Sequence, residues 1–186
     1  MCSSDLRHIA IVIALMAALA GVLFAMGRVP ICTCGYVKLW HGARFSSENS
    51  QHLFDWWSLS HVVHGFIFYG VLRLALGRPF PAARFIAAVC IEGGWEIFEN
   101  TNFIIERYRN AGVVDYFGDS IVNSLGDVVA MMLGYAFAMR LTVKTSLVAV
   151  AALELSALVA IRDNLTLNIV MLIYPFETIQ TWQEGG

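Results

Sequence analysis

The sequence predicts an all-α membrane protein, a polytopic helix bundle of five spans that forms a single domain over residues 1–186. Hydrophobic residues make up 58% of the chain and charged residues only 14%, whereas soluble domains carry about 25% charged residues. The apolar residues also occur in runs long enough to cross a bilayer as helices. The net charge is −2, which gives no indication of nucleic-acid binding, so the expected partner is the lipid bilayer.

The predicted spans are residues 9–26, 57–76, 82–105, 118–139 and 146–161. The first run is longer than the apolar part of a signal peptide and few basic residues precede it, so we interpret it as a retained span. Gly77 and Pro79 end the second span. A shorter apolar segment, 165–174, is followed by Pro175. It is too short to cross the bilayer as a helix, which leaves an interfacial helix, a re-entrant segment or the end of a tilted fifth span.

The distribution of basic residues favours a cytoplasmic N-terminus. The turns after the second and fourth predicted spans contain basic residues and no acidic ones, namely Arg73, Arg78, Arg84, Arg140 and Lys144. On the opposite side of the membrane, basic residues are mixed with acidic ones. The long loop after the first span is therefore expected on the outer face.

Polar side chains interrupt three of the predicted spans, although a carboxylate at mid-bilayer costs ~2.5–3.5 kcal/mol. They are His61 and His64 on the second span, Glu92, Glu96 and Glu99 on the third, and Asp119, Asn123 and Asp127 on the fourth. Because successive helical residues turn by about 100°, each group forms one narrow stripe. Each stripe should face the bundle interior, and their common depth predicts a polar cavity that opens to the outer face.

These eight residues are the candidate catalytic residues. His61 or His64 would act as a general base or a metal ligand, the three glutamates as acids or ligands, and Asp119 and Asp127 as orienting or binding groups. Imidazole with carboxylate suits a divalent metal such as zinc, and the candidate ligands are His61, His64, Glu96 and Glu99. Neither helical spacing is a specific zinc motif. A metal-free acid–base site remains open, as does a buried hydrogen-bond network that only holds the helices together.

Two cysteines, Cys32 and Cys34, lie just after the first span. This spacing is compatible with metal ligation, with a disulfide, or with a structural turn at the membrane surface, and their role stays open. The polar segment 45–55 that follows can fold over the mouth of the predicted cavity.

Several stretches carry a family resemblance, among them PICTCGYVKLWHG, EGGWEIFENTNFIIERYR and DYFGDSIVNSLGDVVAMMLGY. Together they resemble an uncharacterised family of alphaproteobacterial inner-membrane proteins, known only as a domain of unknown function. The resemblance covers nearly the whole chain and implies a multi-pass protein of the cell inner membrane, but no activity. More loosely, Glu96 followed by Asp119-x-x-x-Asn123-x-x-Gly126 is similar to the VanZ-like membrane family. His61 and His64 depart from that pattern.

Three functions are compatible with this sequence. We expect a hydrolase or transferase that acts on a lipid or lipid-linked substrate from the outer leaflet. A proton- or cation-coupled permease is the first alternative, because the same acids would form a relay. The second is a non-catalytic accessory subunit that docks through the loop around Cys32. A lateral gap to lipid would favour the enzyme, a polar path to both faces the permease, and a filled interior the accessory subunit.

Overall fold

The computed structural model describes residues 3–77, 79, 81–113 and 115–185; Arg78 of the predicted basic turn lies outside them. Its helices are α1 (Ser3–Ala25), α2 (Ser58–Leu76), α3 (Pro81–Glu99), α4 (Asn102–Asn110), α5 (Ile121–Arg140), α6 (Val143–Ile161), α7 (Leu165–Ile173) and α8 (Glu177–Glu184). Two short strands in the first loop, β1 (Trp40–His41) and β2 (Phe54–Asp55), pair in parallel. The all-α prediction is confirmed.

Within the described residues, four helices are long and apolar enough to cross a membrane: α1, α2, α5 and α6. α3 has the same length as α2, 19 residues, but it carries the charged residues Arg84, Glu92, Glu96 and Glu99. It packs against α1, α2 and α5. Its length and its position are those of a fifth span, and the count of five stays a prediction.

The predicted third span, 82–105, is divided into two helices. α3 ends at Glu99, and α4 begins after Thr101, whose backbone is extended (ψ 149°). The Asn100 side chain donates to the carbonyl oxygen of Glu96 at 3.0 Å, and such side-chain bonds to the backbone compete with continued helix. Glu99 therefore lies at the end of a helix, where the chain turns away.

The other helix boundaries lie within three residues of the predicted ones, except that α1 begins at Ser3, six residues before the predicted start of the first span. The helix that corresponds to the predicted fourth span, α5, begins at Ile121. The side chain of Ser120 caps this helix by accepting a hydrogen bond from the Asn123 N–H. α7 corresponds to the predicted short apolar segment, and Asn164 caps it in the same way. α8 and the two short strands were not predicted, because they are polar or only two residues long.

Close packing of α2 against α5 forms the centre of the bundle. A Cβ added at Gly65 would overlap the α5 backbone, and one added at Gly134 would overlap the α2 backbone. Small residues let membrane helices approach at backbone distance. His61 lies one turn from Gly65 and Asp127 two turns from Gly134, so this crossing brings polar groups of both helices together.

The first loop packs over the start of α5. The N–H groups of Ser120 and Ile121 donate to the carbonyl oxygens of Ser50 (2.9 Å) and Val29 (2.8 Å). These bonds give partners to donors that the first turn of a helix leaves unpaired. We call the end of the bundle with this loop, α4, α7 and α8 the loop end, and the end with the α2–α3 and α5–α6 turns the hairpin end.

We expect Gly65→Ala to lower the melting temperature of the purified protein. The added methyl group must displace the α5 backbone, and overpacking costs about 1–3 kcal/mol, or about 2–4 °C per kcal/mol for a chain of this size. Gly70→Ala on the same helix is the matched control, because, apart from its chain neighbours and the adjacent backbone of α2, no described atom lies within 4 Å of its Cβ position. Equal melting of the two variants would contradict the close crossing of α2 and α5.

Candidate functional site

The centre of the site is a carboxylate held by two imidazoles. Nδ1 of His61 lies 2.5 Å from Oε1 of Glu92, and Nδ1 of His64 lies 3.1 Å from Oε2 of the same side chain. The two histidines are three residues apart on α2, so they share a helix face. Glu92 is completely buried. The structure thus confirms that the polar stripes of the second and third predicted spans face each other.

Glu96 lies one turn further along α3 and is also completely buried. Its Oε1 is 3.5 Å from Nδ1 of His61, yet neither of its oxygens has a hydrogen-bond partner among the described residues. A buried carboxylate without a partner is costly as an anion. Glu96 is therefore a group that should hold a proton or face a cation.

Asp127 joins the site from α5, on the other side of His61. Its Oδ2 is 3.9 Å from Nε2 of His61, and its Oδ1 accepts a hydrogen bond of 2.6 Å from the Ser58 hydroxyl. His61 thus has carboxylates facing both ring nitrogens. A carboxylate behind an imidazole fixes its tautomer and orientation.

Two further carboxylates, those of Glu99 and Asp119, lie beside Glu96 on the side of the loop end. One oxygen each of Glu96, Glu99 and Asp119 lie within 4.8 Å of one another. Glu99 accepts from the Tyr108 hydroxyl at 2.8 Å, and Asp119 accepts from the Tyr116 hydroxyl at 2.9 Å. Burial raises the pKa of Asp119, in the loop before α5, to about 6. These groups extend the acidic site towards the loop.

The side chains at the centre are of types that can hold a metal ion. Ligand atoms of His61, His64 and Glu92 lie within 4.8 Å of one another, and two histidines with one glutamate are a known catalytic set that leaves a coordination position open. The predicted ligands were His61, His64, Glu96 and Glu99. The structure places Glu92 against both imidazoles, whereas Glu96 approaches His61 alone and Glu99 lies with Asp119.

Asn123 lies apart from this centre. Its amide nitrogen donates to the carbonyl oxygen of His52 at 2.9 Å, and its backbone N–H donates to Ser120 Oγ. The side chain connects the first loop to α5. Its predicted catalytic role stays a prediction, while its contacts are those of the buried network that the sequence also left open.

A cavity of about 450 Å³, which we call the site cavity, opens beside the two histidines. Its polar wall includes His61, His64 and Glu99, and its other walls are apolar side chains of α2, α3 and α7 such as Phe68, Trp95, Phe98 and Ile169. Phe98 and Ile169 are about half exposed (46% and 45%) on the apolar side of the bundle. The site cavity therefore opens sideways, where lipid would surround the helices.

A smaller cavity of about 270 Å³, the mouth cavity, lies at the loop end. Most of its lining surface is apolar, and polar side chains of the first loop, α4, α7, α8 and the α4–α5 and α6–α7 connections are set among it. Trp57, Tyr108 and Asn168 line both cavities. The two cavities therefore adjoin: the site cavity is lateral, and the mouth cavity, which offers more polar side chains, lies at the loop end.

Three residues of the site, Ser58, Tyr108 and Tyr116, were not predicted from the sequence. Ser58 had a usable signal, because it precedes His61 by three residues and so shares its helix face. The two tyrosines lie outside the predicted spans, in a segment whose path back over the site depends on the break after α3. A sequence pattern does not reveal that turn.

Cys32 and Cys34 are bonded as a disulfide, with their Cα atoms 5.1 Å apart. Glu48 and His52 lie next to them, and the four residues place ligand atoms within 4.8 Å of one another. Both nitrogens of His52 are occupied, since Nδ1 accepts from the Lys38 N–H at 3.2 Å and Nε2 lies 2.8 Å from Glu48. The disulfide and these hydrogen bonds together cross-link the first loop.

Glu48 is the electrostatic centre of this loop. Its Oε2 lies 2.6 Å from Nζ of Lys38, and the hydrogen bonds from Lys38 and then His52 lower the pKa of Glu48 to about 2. A carboxyl whose pKa is lowered by folding stabilises the fold above its ordinary pKa and loses that effect as the pH falls through the lowered value.

We expect Glu48→Gln to lower the melting temperature at pH 7, and we expect its difference from the wild type to shrink between about pH 4.5 and pH 2. Within that interval the wild-type carboxylate becomes protonated and loses the same charge. The measurement is a series of melting curves at several pH values. Glu106→Gln is the control, because its ion pair with Arg109 is exposed and contributes little. A difference that does not depend on pH would contradict the assigned pKa.

Comparison with known proteins gives a family but no activity. A family model described as "Protein of unknown function (DUF2585)" matches residues 23–185. A UPF0314 protein of Rhizobium johnstonii is 50% identical over 165 residues, which cover 88% of this chain and 85% of the relative. A UPF0314 protein of Brucella anthropi is 49% identical over 176 residues, 94% of this chain and 89% of the relative.

A third relative, a UPF0314 protein of Sphingopyxis alaskensis, is 47% identical over 174 residues, 93% of each chain. No solved structure matches this chain. The resemblance to an uncharacterised alphaproteobacterial family is confirmed. The looser resemblance to the VanZ-like family gains no support from these matches.

Proposed function

The chain belongs to the DUF2585 family of proteins of unknown function, and we propose that it is a metal-dependent membrane enzyme. It would hydrolyse a lipid or lipid-linked substrate, or transfer a group to or from one. The observation that carries this proposal is the position of His61, His64 and Glu92. These three side chains form a zinc-type donor set beside a cavity with apolar walls.

The residues around this donor set have complementary tasks. A bound divalent cation would polarise a carbonyl or phosphoryl oxygen and supply an activated water. Glu96, buried and without a hydrogen-bond partner among the described residues, would be ionised when it faces that cation and would then accept the proton of the water as general base. Asp127, which accepts from Ser58 and lies 3.9 Å from Nε2 of His61, would orient that imidazole. Tyr108, which donates to Glu99, lies where it would contact the substrate.

The shape of the site cavity supports a lipid substrate. Aromatic and aliphatic side chains form most of its walls, and it meets the bundle surface at Phe98 and Ile169. A lipid would enter from the bilayer without crossing water, and its reactive group would reach the histidines. Binding sites with apolar walls and a few convergent polar groups are the usual form of small-molecule sites.

The interior beyond the site favours an enzyme over a permease. Towards the hairpin end, within about one turn of the polar groups, most described core residues are apolar and include Ala88, Val89, Val128 and Met131. A proton or cation relay needs polar groups that continue to the other face. Arg84 and Tyr135 are the polar side chains described in that core, and a buried arginine would repel a cation. The accessory-subunit alternative explains neither the unpaired Glu96 nor the lateral cavity.

We further propose that the protein resides in the cell inner membrane with its N-terminus in the cytoplasm. Arg73, Arg140 and Lys144 support this orientation, whereas Arg84 is buried and carries less weight. In a background without Cys2 and Cys90, an impermeant thiol reagent applied to cells from outside should modify Ser47→Cys and not Lys144→Cys. The reverse result would place the site on the cytoplasmic side.

Purified protein should contain about one equivalent of zinc or a similar metal, and Glu92→Gln should remove it while the protein still inserts. The amide cannot supply the anionic oxygen between the two imidazoles. Elemental analysis after dialysis measures the content. Glu106→Gln, an exposed carboxylate on α4, is the control and should retain the metal. Asp127→Asn should weaken binding about 10–100-fold, the usual effect of losing a residue that orients a ligand.

Glu96→Gln should leave metal content and melting temperature nearly unchanged and abolish turnover. The amide keeps the shape of the side chain but cannot accept a proton. Activity would be followed by mass spectrometry of membrane lipids incubated with the protein, wild type against variant. If the variant melts early and its activity falls only in proportion to the folded fraction, Glu96 belongs to a structural network and the active-site assignment is wrong.

A further inference from the structure

The two adjoining cavities have the layout of a site for an amphiphile. Trp57, Tyr108 and Asn168 form the boundary between them. The indole N–H of Trp57 donates to Asp163 at 3.0 Å, and the Tyr108 hydroxyl lies 3.1 Å from Oδ1 of Asn168. The boundary side chains are thus held in place by their own hydrogen bonds. A molecule with its tail in the site cavity would extend its polar end into the mouth cavity.

The charges around the mouth cavity do not suit a phosphate group. Its lining includes three acidic residues, Asp115, Asp163 and Glu184, against one arginine, Arg44. Clustered carboxylates repel an anion. The guanidinium of Arg44 lies 4.5 Å from the ring centroid of Phe45, so it packs on an aromatic face at the edge of the cavity.

Other arginines near the loop end are engaged with backbone carbonyl oxygens. Arg107 donates to Leu172 and Ile173, Arg109 to Tyr116, and Arg162 to Trp182. None of these three is part of the described lining of the mouth cavity. An anionic headgroup would therefore find few cationic partners there.

The described lining instead offers hydrogen-bond acceptors and aromatic faces. Oδ1 of Asn49 is buried and has no partner among the described residues, while its amide nitrogen donates to the carbonyl of Arg44 at 2.9 Å. A buried acceptor without a partner is costly, so a ligand whose donor reaches this oxygen after a small rotation of the side chain would gain free energy there. Tyr116, Gln180 and Gln183 add groups that both donate and accept.

A hydroxyl-rich ligand satisfies this lining better than an ammonium group. The most enclosed carboxylate, Asp163, already accepts from Trp57 and Gln183. The other two acids, Asp115 and Glu184, are exposed, where water screens their charge. The remaining buried acceptor, on Asn49, is neutral. Hydroxyl groups donate and accept at once, as amide-lined sites require, and carry no charge that would need a buried counterion.

We propose that the mouth cavity binds an uncharged, polyhydroxylated headgroup, such as the sugar of a glycolipid or of a lipid-linked saccharide. This inference rests on the proposed function only in naming the substrate of that enzyme, since the headgroup binds without the metal. The tail lies in the site cavity, and the bond next to the headgroup lies near the histidines.

The test uses three probes with the same octyl tail, namely octyl β-glucoside, octylphosphocholine and octyltrimethylammonium. Each is titrated below its micelle concentration into the full-length protein in lipid nanodiscs, and the melting temperature is recorded. The glucoside should raise the melting temperature in a saturable way, as any ligand of the folded state does, and the other two should not. An equal or larger effect of the phosphocholine or the ammonium probe would overturn the proposal, as would no effect of the glucoside.

Variants show whether the glucoside binds in the mouth cavity. Asn49→Ala should raise the half-saturating glucoside concentration at least about tenfold, since each 1.4 kcal/mol is a factor of ten in affinity. Asn110→Ala, on the exposed end of α4, is the matched control and should have no effect. If Asn49→Ala does not fold, Asn168→Leu removes polar groups at the boundary and should weaken binding similarly. Unchanged saturation in both cavity variants would overturn the assignment.

The Glu92→Gln variant separates this proposal from the proposed enzyme. It should lose the metal and still show saturable stabilisation by octyl glucoside. A wild-type protein that binds the glucoside and no metal would refute the metal-dependent enzyme and leave the headgroup site standing. A protein that binds the metal and not the glucoside would refute the headgroup site and leave the metal-dependent enzyme standing.

Discussion

The contact between Glu92 and the imidazoles of His61 and His64 is the interaction on which the rest of the site depends. Glu92 is fully buried in a helix bundle of mostly apolar composition, where an uncompensated charge is not tolerated. The two histidines come from one face of α2, and they reach Glu92 because α2 and α3 lie side by side. A ligand or proton that binds at this site must compensate the net charge of these three side chains.

Helix packing and the first loop hold this contact in place. Backbone-distance packing at Gly65 and Gly134 holds α2 against α5, which places Asp127 behind His61. The first loop covers the start of α5 and is itself held by the Cys32–Cys34 disulfide and by Glu48. The polar groups thus lie beneath the first loop and open sideways, towards lipid, at the site cavity, which adjoins the mouth cavity at the loop end.

Much of this arrangement follows from the sequence. Helical spacing places His61 with His64, and Glu92 with Glu96, on single helix faces, and the cost of burying charge in a membrane directs those faces towards each other. Spacing did not show which glutamate meets the histidines, because that depends on the rotation and height of α3 against α2. Asn123 was grouped with the acids by position on its helix, yet its amide bonds to the first loop, a contact between segments about 70 residues apart.

Zinc X-ray absorption spectroscopy of the purified, metal-loaded protein shows directly which side chains bind the metal. We expect a first shell of nitrogen and oxygen only, with outer-shell scattering from two imidazole rings, because His61, His64 and Glu92 supply the ligands. Sulfur in the first shell would place the metal at Cys32 and Cys34 in the loop. A sulfur-containing shell, or a shell of oxygens without imidazole scattering, would contradict the assignment of the site to the histidines of α2.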